Sequence, residues 1–177
     1  GPSSTGGLVG SEDSLSVQNS YWDVLTSGQS TSAGDAIGVT TASLQAGLPS
    51  GFSGDTWGIL PGLSYPYLLS RFPNGPLVVS GFVGGTPSPA AAPVGLAAGG
   101  SIRDTSYSGA NGYYYAATDP LTGPAPQGVT AFLNFPTGFL LGSSTTDAPI
   151  GPGAVTGLDV LAGQSLVRTT QPTASGT

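Results

Sequence analysis

The chain has 177 residues with 30 Gly and 16 Pro, a formal charge of −6, and no His, Cys, Lys or Met. Those absences remove the usual general base near neutral pH, the thiolate and amine nucleophiles, disulfides and Cys/His metal clusters. With Arg71, Arg103 and Arg168 as the only cations, phosphate backbones and anionic lipid are repelled. Nucleic acid is therefore excluded as a partner, and no apolar run reaches the roughly 20 residues that a bilayer-spanning helix needs. No cofactor is expected.

Gly1-Pro2 reads as the remnant of a protease cut, so the chain is expected to be a piece of a longer one. The first half offers short strands between turn residues: Gly7-Leu-Val-Gly10, Leu15-Ser-Val17, Ser20-Tyr-Trp-Asp23, Trp57-Gly-Ile-Leu60 and Tyr65-Pro-Tyr-Leu-Leu69. One short helix is predicted over 40–47, with Thr40 at its N-cap and Gly47 at its end. Strands this short and unevenly spaced fit the coils of a solenoid better than a free-standing sandwich.

Phe72-Pro-Asn-Gly-Pro76 is a concentrated turn signal, and the chain is expected to divide there into residues 1–72 and 76–177. Longer strands follow. Leu77–Val83 comes first, then a Pro/Ala-rich connection over 86–93, and then Val94–Ala98. Gly99-Gly100 is a two-residue hairpin signal leading into Ser101–Tyr107. The turn Gly109-Ala-Asn-Gly112 feeds Tyr113–Ala117, in which Tyr114 faces opposite to Tyr113 and Tyr115. Val129–Phe135, Ala154–Leu161 and Ser165–Thr169 complete a set that suggests a small β-sandwich. The fold class is all-β.

Gly6-Gly-Leu-Val-Gly10, Asn19-Ser-Tyr-Trp-Asp23 and Thr26-Ser-Gly-Gln-Ser-Thr-Ser-Ala-Gly34 occur in order. Gly38–Gln45, Leu48–Phe52, Trp57–Gly62 and Tyr65–Leu68 follow them. This series resembles the last coils of filamentous-haemagglutinin-like bacterial adhesins with GLUG repeats. Gly109-Ala-Asn-Gly-Tyr-Tyr-Tyr115, after Val78-Val-Ser-Gly81 and Val94–Ala98, is similar to the carboxypeptidase-regulatory-like (transthyretin-like) sandwich. The resemblance implies the terminal coils of a right-handed parallel β-helix followed by a small antiparallel sandwich. It further implies an extracellular, cell-surface location, export by two-partner secretion or as an autotransporter, and a non-enzymatic role as spacer or cap in an adhesive fibre. Partners would be adjacent repeats of the parent chain, with a host or abiotic surface or a glycan beyond them.

The chemistry left to the chain is limited. Asp23, Asp35 and Asp55 lack the Asp-x-Asp-x-Asp-Gly spacing of a calcium loop and read as turn residues. Glu12-Asp13 is the only adjacent carboxylate pair, and Glu12 the only Glu; no catalytic pair is assigned. The alternative function is a binding module for carbohydrate or a host surface protein. For that role Trp22, Trp57 and Tyr65 are the contact residues, against a reading in which these aromatics plug the open end of a β-helix.

Overall fold

A computed structural model describes residues 5–11, 16–85, 89–135 and 141–168, and its regular structure is predominantly β. Strand β1 (Tyr21–Asp23) runs straight into a single helical turn, α1 (Val24–Ser27), which Asp23 caps and Gly28 ends in the left-handed region at φ 66°. Strand β2 (Ile37–Val39) lies parallel to β1 with Tyr21 opposite Ile37. Helix α2 (Thr41–Ala46) follows with Thr40 as N-cap, its hydroxyl accepting from Ser43 N, so the helix lies where the sequence puts it. Strands β3 (Trp57–Gly58) and β4 (Tyr67–Leu68) form a small antiparallel pair.

Two expected strands are not seen among the described residues. Residues 7–10 are irregular: Gly7 N donates to Thr31 O and Val9 O accepts from Ala33 N, while Leu8 N and Val9 N both turn to Ser32 Oγ, at 3.3 and 2.9 Å. Ser16 and Val17 are likewise irregular, and Leu15 lies outside the described residues, as do Glu12, Asp13 and residues 86–88.

From Leu77 onward the strands are β5 (Leu77–Gly84), β6 (Pro93–Ala98), β7 (Ser101–Tyr107), β8 (Tyr113–Thr118), β9 (Gln127–Leu133), β10 (Ser143–Ala148), β11 (Gly153–Val155), β12 (Val160–Leu161) and β13 (Ser165–Val167). One sheet runs β13-β10-β9-β6-β7. In the other, β8 pairs antiparallel with one edge of β5, while β11 and β12 pair parallel with its other edge. Gly99 and Gly100, both at positive φ (58° and 76°), make the two-residue turn between β6 and β7.

The expected strand Ala154–Leu161 is broken into β11 and β12 by a bulge. Gly153 pairs with Leu77 but Val160 with Val83, so this course holds one residue more than β5 over the same stretch. Gly157 turns the bulge at φ 63°. Leu158 N donates to Ser80 O, and Asp159 Oδ1 accepts from Phe82 N. The bulge brings backbone against Gly81, where an added Cβ would meet the Leu158 carbonyl at 2.6 Å.

The inner faces of the two sheets share one cluster. Leu77, Val79, Val83, Tyr114, Ala116, Leu158 and Val160 come from one side, and Val94, Leu96, Ala98, Val129, Ala131 and Leu133 from the other. Alternation along β8 sends Tyr114 into this core at 1% exposure, while Tyr113 and Tyr115 stand on the outer face. That outer face receives the first half of the chain. The Tyr65 ring packs edge-on to Tyr115 at 4.8 Å, Gln45 Nε2 donates to Tyr113 Oη at 3.3 Å, and Ala110 N donates to Thr26 O at 2.6 Å.

Candidate functional site

The contact between the two parts leaves an open cleft of about 460 Å³. Asp23 fixes one wall. Ending β1 and capping α1, its Oδ1 accepts from Leu25 N at 2.8 Å and Thr26 N at 3.3 Å. Oδ2 accepts from the Thr41 hydroxyl at the start of α2 and from Tyr65 Oη at 2.7 Å. One carboxylate, only 8% exposed, thereby joins β1, α1, α2 and the segment that carries Tyr65. A buried anion needs this many donors, because each lost hydration partner has to be replaced.

Tyr65 and Tyr115 form the floor. Burial, reinforced by Asp23, holds the Tyr65 phenol well above the ordinary tyrosine range, and burial does the same for Tyr115. Both are hydrogen-bonding neutral phenols at physiological pH. Tyr113 and Tyr107 continue the aromatic lining toward solvent, with Tyr107 67% exposed at the rim.

The three contact residues expected from sequence are not gathered together. Trp22 and Tyr65 line this cleft. Trp22 is 8% exposed, and its indole N–H donates to Gln29 O at 3.0 Å. Gly7 and Gly38 press on its ring, since a Cβ at either would overlap it. Trp57 belongs to a separate depression, stacked on Phe52 at 4.3 Å, with Tyr21 edge-on to Phe52 at 5.8 Å. Sequence reasoning missed Tyr107, Tyr113 and Tyr115 as wall residues and Asp23 as the hub. The hub had a readable signal, an Asp directly before Val24-Leu-Thr; the tyrosines become neighbours of Tyr65 only through the docking of the two parts.

Asp35 and Asp55 are exposed and far from sharing Asp23's environment. Among the described residues no group of three or more His, Cys, Asp or Glu could hold a metal ion. The Glu12-Asp13 pair lies outside the described residues. At the opposite end of β8, Arg71 and Asp119 form an exposed ion pair at 2.6 Å. Arg71 holds the Asp119 carboxyl below its usual range. What the cleft offers chemically is ring faces and neutral hydroxyls around a carboxylate whose oxygens are already engaged.

Comparison with family models, with curated proteins and with solved structures returns no match. The class on which the fold rests is that of a mainly β-stranded protein, with two very short helices among the described residues.

Proposed function

We propose that the chain is a non-enzymatic structural segment of a large secreted bacterial surface adhesin, acting as spacer or cap in a fibre. In this reading residues 1–72 supply the end coils of a right-handed parallel β-helix, and residues 76–177 form a transthyretin-like sandwich. The carrying observation is the joint: Tyr65 donates to Asp23 in one part while its ring packs on Tyr115 in the other. A hinge between parts would leave such a side chain facing solvent on one side, whereas a spacer has to transmit direction. The parallel register of β1 on β2, sixteen residues apart along the chain between Tyr21 and Ile37, supports the coil reading. The two sheets enclosing one cluster support the sandwich.

Backbone nuclear spin relaxation tests the rigid joint. A spacer requires one rotational correlation time for residues 20–75 and 77–161, with Tyr65→Ala loosening the first set. Two independent correlation times in the parent chain would overturn the reading.

A further inference from the structure

We propose that the cleft between the two parts binds a neutral saccharide, one to three sugar units long, with Tyr107 and Tyr113 as stacking faces. This is a binding activity separate from the spacer role. The volume, about 460 Å³, suits a ligand of that size. Its wall chemistry sets the class of ligand. No cation lines the cleft, and the one charged group among its described lining residues, Asp23, already accepts four hydrogen bonds. An anionic ligand would meet that carboxylate and a net charge of −6 with nothing to compensate. A cationic ligand would find the carboxylate oxygens occupied.

The groups still open are hydroxyls beside rings. Among the described residues the Thr26 and Tyr107 hydroxyls have no hydrogen-bond partner. Tyr113 Oη accepts from Gln45 and keeps its own proton to donate. Ser106 Oγ spends its proton on Tyr115 O and keeps its lone pairs. Neutral donors and acceptors of this kind match sugar hydroxyls, and the electron-rich ring faces match the electropositive C–H face of a pyranose. A proline-rich peptide also stacks on tyrosines, but proline has no N–H, so it presents mainly carbonyl acceptors and leaves the Ser106 lone pairs without a donor, which a sugar hydroxyl supplies; the indole N–H in the cleft is committed to Gln29 O.

The test uses the full chain on an array of neutral and acidic oligosaccharides that also carries proline-rich peptides, followed by calorimetric titration of the best neutral hit. Binding to neutral glycans is expected, with Tyr107→Ala weakening it about tenfold, the worth of one lost stacking face. Tyr107 is largely exposed, so its removal leaves the core intact. Ile102→Ala, on the same strand, 73% exposed and outside the cleft, is expected to bind as the parent does. An array without neutral-glycan signal, a preference for acidic glycans or for the peptides, or a Tyr107→Ala variant that binds like the parent would each overturn the proposal. None of these results bears on the rotational test of the joint, so the two readings fail separately.

Discussion

Asp23 is the residue on which the first half of the chain depends. Its two oxygens satisfy two backbone donors at the start of α1 and two hydroxyls from Thr41 and Tyr65. Asp23→Ala strands all four, and the cost should be about 3 kcal/mol, the sum of a lost cap and lost hydrogen bonds to a charged acceptor. Asp23→Asn keeps an oxygen for the amides and offers an NH₂ to hydroxyls that can turn and accept, so about 1 kcal/mol is expected. Urea unfolding followed by tryptophan fluorescence checks both, since Trp22 adjoins the site; equal losses in the two variants would show that the charge, not the hydrogen-bond geometry, matters. At this scale the sequence was partly legible. Trp22, Trp57 and Tyr65 stand out by size, and the structure shows all three engaged with neighbours; Asp23 carries a local N-cap signal that Asp35 and Asp55 lack, but its bonds to Thr41 and Tyr65 depend on residues 18 and 42 positions away.

Elements were legible where one face alone decides. Tyr113–Thr118 and Gln127–Leu133 alternate, and their buried rows, Tyr114-Ala116-Thr118 and Val129-Ala131-Leu133, enter the core as the alternation requires. Strand β10 was invisible for the opposite reason. Ser143-Ser-Thr-Thr-Asp-Ala148 has no apolar alternation, yet it sits between β9 and β13 with Ser144 and Thr146 almost fully buried. Neither Ser144 Oγ nor Thr146 Oγ1 has a hydrogen-bond partner. The ladder to β9 holds this strand in register, helped by the outward-facing hydroxyls: Thr145 Oγ1 bonds Thr130 Oγ1 at 2.9 Å on β9, and Ser143 Oγ donates to Ser165 Oγ at 3.2 Å on β13. An unpartnered buried hydroxyl is a net cost, so Thr146→Val, similar in shape, should raise stability by about 1 kcal/mol and Ser144→Ala by less. The measurement is the midpoint of urea unfolding at unchanged slope. A loss of stability in Thr146→Val would mean that the hydroxyl has a function in the folded state. The bulge between β11 and β12 was also hidden. Thr156-Gly-Leu-Asp159 reads as a continuous strand until the parallel register along β5 is known, and Gly157 and Gly81 then acquire their reasons.

For the whole molecule, no disulfide, Cys/His metal cluster or lysine cross-link is available, and among the described residues stability falls to ladders and to aromatic packing at the joint and in the core. That makes alkali a probe of the whole assembly. Tyr65, Tyr114 and Tyr115 are all held above the ordinary tyrosine range, in each case first by burial, with Asp23 adding at Tyr65 and Asp159 at Tyr114. Two of these lie at the joint and one in the core, where Tyr114 Oη donates to Leu158 O at the bulge. Each binds its proton more tightly folded than unfolded. Their contribution is therefore complete below about pH 10, where the unfolded phenols are also protonated, and is lost as pH climbs above it. While a folded phenol stays protonated and its unfolded counterpart ionises, stability falls by up to about 1.4 kcal/mol per pH unit for that group. Melting temperature should thus be flat from neutral pH to about pH 9.5 and drop steeply beyond it. Tyrosinate absorbance should lag behind that of the unfolded chain until the melt occurs, and then rise together with it. Tyr65→Phe should lessen the alkaline slope while lowering stability near neutral pH, because it removes both the titrating phenol and the hydrogen bond to Asp23. If instead all seven tyrosines titrate near pH 10 with no loss of structure, the joint is open to water and the two parts are not fastened through Tyr65 and Tyr115.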